Sequence, residues 1–309
     1  MITIYKNQDN KLTLLEKPSP GCWIKAINPT PDEIEQLQAI GVPNDYITYP
    51  LDLDERSRSE RENGELLIIL RIPHFQGETS DIPYITMPLG IIVTEQYLVT
   101  VCKYENDLLH EFASGKVKGL VTAKRLRFVL MLLLHTAGKF LTYLRQINKV
   151  VDKLEDQLQE STRNREVLEL LKYQKSLTYF TTALKSNELM MERLQRSQLF
   201  RTYPEDEDLL DDVLTENQQA IEMTNISSNI LSSMMDAFAS IISNNLNSVM
   251  KLLASITIVL SVPTMIASFY GMNVNLPFES HPNAFLITMG LSFAISSTVV
   301  YIFWKHDWF

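Results

Sequence analysis

Two long stretches without a charged residue place the strongest constraint on how this 309-residue chain can fold. Leu252 to Tyr270 and Ala284 to Trp304 contain no Asp, Glu, Lys or Arg. Each is close to the ~20 residues that a helix needs to cross the hydrocarbon core of a bilayer. Helices this long and this apolar are uncommon in soluble proteins. The pattern therefore predicts two transmembrane helices, over 252–270 and 284–304.

The basic residues around the two spans predict their orientation. Lys251 precedes the first span and Lys305 follows the second, whereas the connecting loop, 271–283, has neither Lys nor Arg. Because positive charge stays on the cytosolic side, we expect the loop outside and both termini, including 305–309, in the cytosol. No signal peptide is predicted, so roughly the first 245 residues are expected to be cytosolic too. The expected location is the cell membrane, as a multi-pass protein.

Residues 1–118 combine strand-like and helix-like segments. Gly21–Ile27 and Leu66–Ile72 are apolar runs typical of strands, and Thr30, followed by proline and two acids, has the signals of a helix start. Two β-rich segments on either side of Glu95 predict a hairpin. We therefore expect a cytosolic α/β domain in which helices cover a sheet.

Long helices are predicted for the rest of the cytosolic part. The segment 119–203 is nearly free of glycine and proline, with Gly138 inside its helical run, and apolar residues at three- and four-residue spacing predict two or three long antiparallel helices. Pro204 and the acids after it begin another helix, because the macrodipole favours negative charge there. With no break before Pro263, about 60 residues would reach on the order of 90 Å. We interpret 204–251 as a stalk, giving an α+β cytosolic domain with a long helical stalk and two C-terminal transmembrane helices.

Composition and motifs exclude several function classes. Asp and Glu outnumber Lys and Arg by 37 to 28, which argues against nucleic acid as a partner. The two cysteines, Cys22 and Cys102, stand in no metal-ligand spacing. No phosphate-binding glycine loop, H-E-x-x-H or G-x-S-x-G motif occurs, so neither an enzyme nor an organic cofactor is predicted.

One face of the first span has an ordered set of side chains that recur every three or four residues: Asn247, Met250, Leu253, Thr257, Ser261, Thr264 and Ser268. Two interpretations are open. The hydroxyls could pack against another helix or bond their own backbone carbonyls. Alternatively the stripe lines a water-filled pore, which requires a symmetric oligomer because one stripe cannot enclose a pore.

The spans contain no ionisable side chain, which disfavours a proton-coupled carrier. A passive path for a hydrated cation fits better. Mg²⁺ loses its water reluctantly, and rings of amide, hydroxyl and carbonyl dipoles can hold it without trapping it.

Tyr270-Gly271-Met272-Asn273, at the outer end of the first of two C-terminal spans, resembles the signature of the CorA family of magnesium and divalent-cation transporters. The segments Leu51–Arg56, Leu66–Pro73 and Pro88–Thr94 are similar to the N-terminal domain of that family. The resemblance covers essentially the whole chain. It implies a homopentameric funnel in the lipid bilayer that conducts Mg²⁺, with further Mg²⁺ bound as a regulator.

The resemblance also implies roles for particular residues. Asn273 would form the outer ring that captures the hydrated ion, with Gly271 and Met272 completing the motif. The inner gate would consist of Asn247, Met250 and Leu253, and Thr264 would line the pore. Glu279 would attract cations in the loop.

Regulatory Mg²⁺ would bind to Asp236 in the stalk. The acid expected to face Asp236 has no clear counterpart: Tyr49 stands near its position, and Asp52, Asp54 and Glu55 follow.

Two other functions remain compatible with the residues. One is a member of the same family that is specialised for Zn²⁺, Co²⁺ or Ni²⁺. The other is a non-conducting, membrane-anchored scaffold or sensor, although an anchor needs neither the ordered stripe nor the Gly271-Met272-Asn273 motif.

Overall fold

A computed structural model of the chain describes residues 1–8, 11–62, 64–160, 164–200, 203–273, 277, 282–306 and 308. They form two compact units, 1–234 and 235–309. The strands are β1 (Ile2–Gln8), β2 (Lys11–Leu15), β3 (Trp23–Ile27), β4 (Arg58–Glu62), β5 (Glu65–Phe75), β6 (Tyr84–Val93) and β7 (Leu98–Cys102). The α-helices are α1 (Pro31–Ala39), α2 (Asn44–Thr48), α3 (Asp107–Ala113), α4 (Arg125–Glu160), α5 (Asn164–Arg196), α6 (Pro204–Tyr270) and α7 (Ala284–Lys305).

The seven strands form one mixed sheet in the order β2-β1-β3-β7-β6-β5-β4. Only β3 and β7 are parallel, and the other neighbours are antiparallel. Val93 pairs with Leu98, so β6 and β7 form the predicted hairpin. The Thr94 hydroxyl accepts a hydrogen bond of 3.0 Å from the Tyr97 amide inside its turn.

Both faces of the sheet are covered, which explains why β5 reads as a continuous apolar run. Ile68 and Leu70 belong to a core shared with α3, α4, α5 and the start of α6. Leu67 and Ile69, which point the other way, belong to a second core with α1 and α2. The first unit is therefore a helix–sheet–helix sandwich, as expected for a sheet covered by helices.

The helix starts follow the local signals that predicted them. The Thr30 hydroxyl accepts a bond from the Glu33 amide, and the Glu33 carboxylate accepts one from the Thr30 amide, which is a capping box. At the start of α6, Arg127 pairs with both Glu205 and Asp206 at 3.1 Å. Two long helices, α4 and α5, occupy the segment for which two or three were predicted.

Three helices, α4, α6 and α7, are long and apolar enough to span a membrane by length and composition alone. Their surroundings differ. In α4, 56% of the most apolar 18-residue stretch is buried in the protein. The corresponding share is 6% in α6 and 0% in α7. The apolar surface of α4 is thus used in the core of the first unit, whereas the apolar surfaces of α6 and α7 are free for lipid or another copy of the chain.

Candidate functional site

The ordered stripe of α6 is exposed along its whole length. All seven side chains, from Asn247 to Ser268, are exposed in the single chain, and even the apolar Met250 and Leu253 remain 56% and 58% exposed. At 100° per residue their positions fall within about a third of the helix circumference. The side chains on another face are partly covered, and Ser255 there is fully buried. This part of α6 therefore has one packed face and one open face.

The hydroxyls of the open face bond their own helix. Thr257 donates to the Leu253 carbonyl at 2.8 Å, Ser261 to the Thr257 carbonyl at 2.7 Å, and Thr264 to the Leu260 carbonyl at 3.1 Å. Each hydroxyl hydrogen is thereby used, while the oxygen keeps its acceptor lone pairs. The stripe presents hydrogen-bond acceptors, which suit a cation or the water around it.

The chain turns at the end of α6 within the signature motif. The Gly271 amide donates to the Ala267 carbonyl at 3.0 Å, and the Met272 amide donates to the Phe269 carbonyl at 3.1 Å. The Tyr270 hydroxyl reaches forward to the Pro277 carbonyl at 3.0 Å. These bonds close the helix and leave the Asn273 side chain exposed just beyond it. Glu279 lies outside the described residues.

In the first unit, the candidate regulatory acids lie in the loop between the turn Tyr49–Leu51, which packs against strand β6, and strand β4. A Cβ at Gly90 would lie 2.2 Å from Pro50 Cγ, so the turn before the acids packs directly on the strand at a glycine. Asp52 accepts a 3.0 Å bond from the Asp54 amide, and Glu55 pairs with Arg58. We call residues 52–57 the acidic loop.

Arg71, on strand β5, holds the backbone of the acidic loop by hydrogen bonds. Its guanidinium donates to the carbonyls of Leu53 and Glu55 at 2.6 and 2.9 Å, and to the carbonyl and hydroxyl of Thr86 at 2.8 and 2.9 Å. Burial lowers the pKa of Arg71 from its ordinary value, although the Asp54 carboxylate acts in the opposite direction. The carbonyl oxygens of the loop thus point inward to Arg71.

A cavity of about 570 Å³ lies beside the acidic loop. Asp54, Glu55 and Arg71 line one part of it, and hydroxyl-bearing side chains of α5, including Thr178 and Thr182, line another.

The proposed regulatory residues do not form a complete metal site within one chain. Among the residues that the structure describes, no three His, Cys, Asp or Glu side chains are placed to hold a metal ion. Asp236 is exposed on the part of α6 that belongs to the second unit. Asp52 and Asp54 are exposed as well, whereas Glu55 is engaged by Arg58.

Sequence reasoning missed Arg71 and its neighbour on α5, Asn187. Arg71 lies inside a strand, and Asn187 is a single amide within a long helix, so neither belongs to a motif. A basic residue in the middle of a buried strand was the one available signal, because a buried charge needs partners.

Known proteins match this chain over nearly its whole length. A family model described as CorA-like Mg²⁺ transporter protein matches residues 20–305. The cobalt/magnesium transport protein CorA of Methanocaldococcus jannaschii is 30% identical over 300 residues, covering 93% of this chain and 90% of that protein. The magnesium transport protein CorA of Helicobacter pylori is 24% identical over 294 residues, covering 92% and 89%.

A solved structure has the same fold. The complete structure of the CorA magnesium transporter from Methanocaldococcus jannaschii matches with a TM-score of 0.86 at 27% identity, over 100% of this chain and 99% of that one. The expected fold, a sheet with long helices and C-terminal apolar helices, is confirmed. From the family match, the related sequences and the shared fold, we conclude that this chain belongs to the CorA-like Mg²⁺ transporter family, whose members are membrane transporters of divalent cations rather than enzymes.

Proposed function

We propose that this protein is a channel for Mg²⁺ in the cell membrane, with a pore formed by α6 helices from five copies of the chain. The observation that carries the proposal is the exposed stripe of α6, which ends at Gly271-Met272-Asn273. A stripe that covers about a third of one helix encloses a path only when several copies surround an axis. The homopentamer follows from the family resemblance.

The chemistry of the stripe favours Mg²⁺ over softer metals. Its polar groups are amides and hydroxyls whose oxygens act as acceptors, and it has no thiol or imidazole. Hydroxyl and carbonyl oxygens suit Mg²⁺, whereas Zn²⁺ and Ni²⁺ prefer imidazole or thiolate ligands. We propose Co²⁺ as a second transported ion, because the Methanocaldococcus jannaschii relative is named a cobalt/magnesium transport protein.

We place the pore residues in three groups along α6. Asn273, beside Gly271 and Met272, captures the hydrated ion outside. The hydroxyls of the middle section carry it across the membrane, and these are Thr257, Ser261, Thr264 and Ser268. Asn247, Met250 and Leu253 form the cytosolic gate, in which apolar rings close the path by excluding water.

Orientation and regulation complete the proposal. Lys251 and Lys305 support an orientation with both termini, and 1–251, in the cytosol. We assign regulatory Mg²⁺ to Asp236 and to the acidic loop, where the carboxylates of Asp52 and Asp54 are exposed and Glu55 stands beside them. Occupied sites would favour the closed pore, so that cytosolic Mg²⁺ limits its own entry.

Uptake of a series of divalent metals into proteoliposomes tests the function. The purified full chain should admit Mg²⁺ down its gradient without ATP or a proton gradient, and Zn²⁺ and Ni²⁺ more slowly. Native mass spectrometry of the same sample should give five copies. A correctly assembled protein that admits no divalent cation would support the scaffold alternative. Uptake led by Zn²⁺ would support the specialised transporter.

A further inference from the structure

Asn187 joins helix α5 to strand β5 by a pair of hydrogen bonds that resembles the pairing of two strands. Its amide nitrogen donates to the Arg71 carbonyl at 2.8 Å, and its amide oxygen accepts from the Arg71 N–H at 2.9 Å. The same oxygen accepts from the Ser57 hydroxyl at 2.6 Å. Asn187 is completely buried, whereas its partners Ser57 and Arg71 are partly buried.

The backbone of Arg71 needs this partner because strand β4 is too short to reach it. The pairing of β4 with β5 ends at Arg58 and Ile69, so β5 has no neighbouring strand beyond that point on this edge. On its other edge Arg71 lies opposite Pro88, but both of its backbone groups point away from that strand, since the N–H and the carbonyl each bond Asn187. Asn187 therefore completes the edge of the sheet, and an unpaired N–H and carbonyl would remain without it.

The side chain of Arg71 continues the connection into the acidic loop. Its guanidinium holds the carbonyls of Leu53 and Glu55, as described above. Ser57, the second partner residue of Asn187, is the last residue of the loop. One buried amide thus fixes the loop at two points, through Arg71 and through Ser57.

Helix α5 is in turn bonded to α6 within the same unit. The Asn217 amide, buried on α6, donates to the Leu184 carbonyl at 3.4 Å. Leu184 lies one helical turn before Asn187. A second contact joins Gln174 to the hydroxyls of Ser228 and Ser232 at 3.3 and 3.1 Å. The acidic loop and the part of α6 within the first unit are therefore both hydrogen-bonded to the same helix, α5.

We propose that Asn187 is a positioning residue that couples the acidic loop to helix α6, so that cation binding at the loop changes the order of α6. The inference rests on the regulatory part of the proposed function. In a packed interior, a fixed connection of this kind makes the acidic loop and α6 respond together when a cation binds. Without the connection, the loop should respond and α6 should not.

Hydrogen–deuterium exchange of the full-length protein in proteoliposomes, with and without Mg²⁺, tests the coupling. In the native protein Mg²⁺ should slow exchange both in residues 53–57 and in residues 217–232. In Asn187→Ala the loop should still respond at saturating Mg²⁺, while the response of 217–232 should be lost. Asn187→Asp keeps the acceptor but cannot donate to the Arg71 carbonyl at neutral pH. It should therefore lose part of the Mg²⁺ response of residues 217–232. This variant replaces the alanine variant if the latter does not fold.

Thr181→Ala is the matched control. Thr181 lies on the same helix outside the lining of the cavity, and its hydroxyl donates to the Leu177 carbonyl of its own helix. This variant should respond like the native protein. A native-like response of 217–232 in both Asn187 variants would overturn the coupling and leave the regulation intact. Absence of any Mg²⁺ response in the native protein would instead overturn the regulation, and the coupling with it.

Discussion

At the scale of single residues, Gly90 determines where the acidic loop lies. It stands in strand β6, and the two nearest side-chain atoms of Pro50 would be 2.2 and 2.9 Å from a Cβ at this position. Real Cβ contacts are longer, so any larger residue must displace the turn that carries Tyr49 and Pro50. The glycine lies in Pro88–Thr94, a segment that resembled the family in sequence. In the structure this position is where the Pro50 ring packs directly on the backbone of β6.

Gly90→Ala should therefore destabilise the first unit by about 1–3 kcal/mol, the usual cost of inserting a methyl group into a packed site. Urea denaturation of the full chain, followed by tryptophan fluorescence, measures this loss. Gly138→Ala is the matched control, because no atom lies within 4 Å of a Cβ there and the residue is inside α4. That variant should be stabilised by roughly 0.5–1 kcal/mol. Equal stability of the two variants would contradict the steric explanation.

Asn273→Ala should abolish or strongly reduce Mg²⁺ uptake while leaving assembly intact. Five amides would be lost at the place where we expect the hydrated ion to be captured. Uptake into proteoliposomes and native mass spectrometry measure the two quantities on one sample. Asn283→Ala removes an amide from the same loop outside the motif and should retain uptake. Native flux through a correctly assembled Asn273→Ala protein would contradict the capture site.

At the scale of secondary structure, elements with a periodic or purely apolar pattern were predictable, and those held by their neighbours were not. β5 was predicted as 66–72 and spans Glu65–Phe75, because burial on both faces leaves a plain apolar signal. β4, Arg58–Glu62, has no apolar residue and forms through its pairing with β5. β1 and β2 were also missed, since β2 is an edge strand with two exposed positions.

One part of the candidate site could be predicted from the sequence, and another part could not. The stripe of α6 could be predicted because a helix converts sequence spacing directly into a face. The support of the acidic loop could not, since Asn187 and Arg71 are 116 positions apart and meet only in the folded chain. Such a contact has no local signal in one sequence.

The proposed gate is a property of one face of α6. Met250→Ser or Leu253→Ser should raise basal flux at saturating cytosolic Mg²⁺, because a small polar side chain keeps the constriction wet. Stopped-flow uptake into proteoliposomes loaded with Mg²⁺ measures basal flux. Leu252→Ser is the control, because Leu252 is also exposed but lies about 100° round the helix from Leu253. This variant should leave basal flux unchanged. An unchanged flux in both gate variants would place the gate elsewhere.

At the scale of the whole molecule, the proposed regulation depends on charge. In a pentamer, five copies of Asp236 would form a ring of carboxylates on the stalk. Two carboxylates ~4 Å apart repel by about 1 kcal/mol in water and by more inside protein. Bound Mg²⁺ would relieve this repulsion and stabilise a symmetric, closed packing of the stalks. Low cytosolic Mg²⁺ would leave the carboxylates unscreened and favour opening.

Asp236→Ala and Asp236→Lys should therefore weaken the response to cytosolic Mg²⁺. Alanine removes both the repulsion and the ligand, and lysine places a permanent positive charge where the ion would bind. Protease sensitivity and flux, measured over a range of cytosolic Mg²⁺ concentrations, should change less steeply in both variants than in the native protein. Glu222→Lys is the control, because Glu222 is an exposed acid on α6 that contacts Gln218 of its own helix. If the two Asp236 variants respond to Mg²⁺ as steeply as the Glu222 variant, Asp236 is not the sensor.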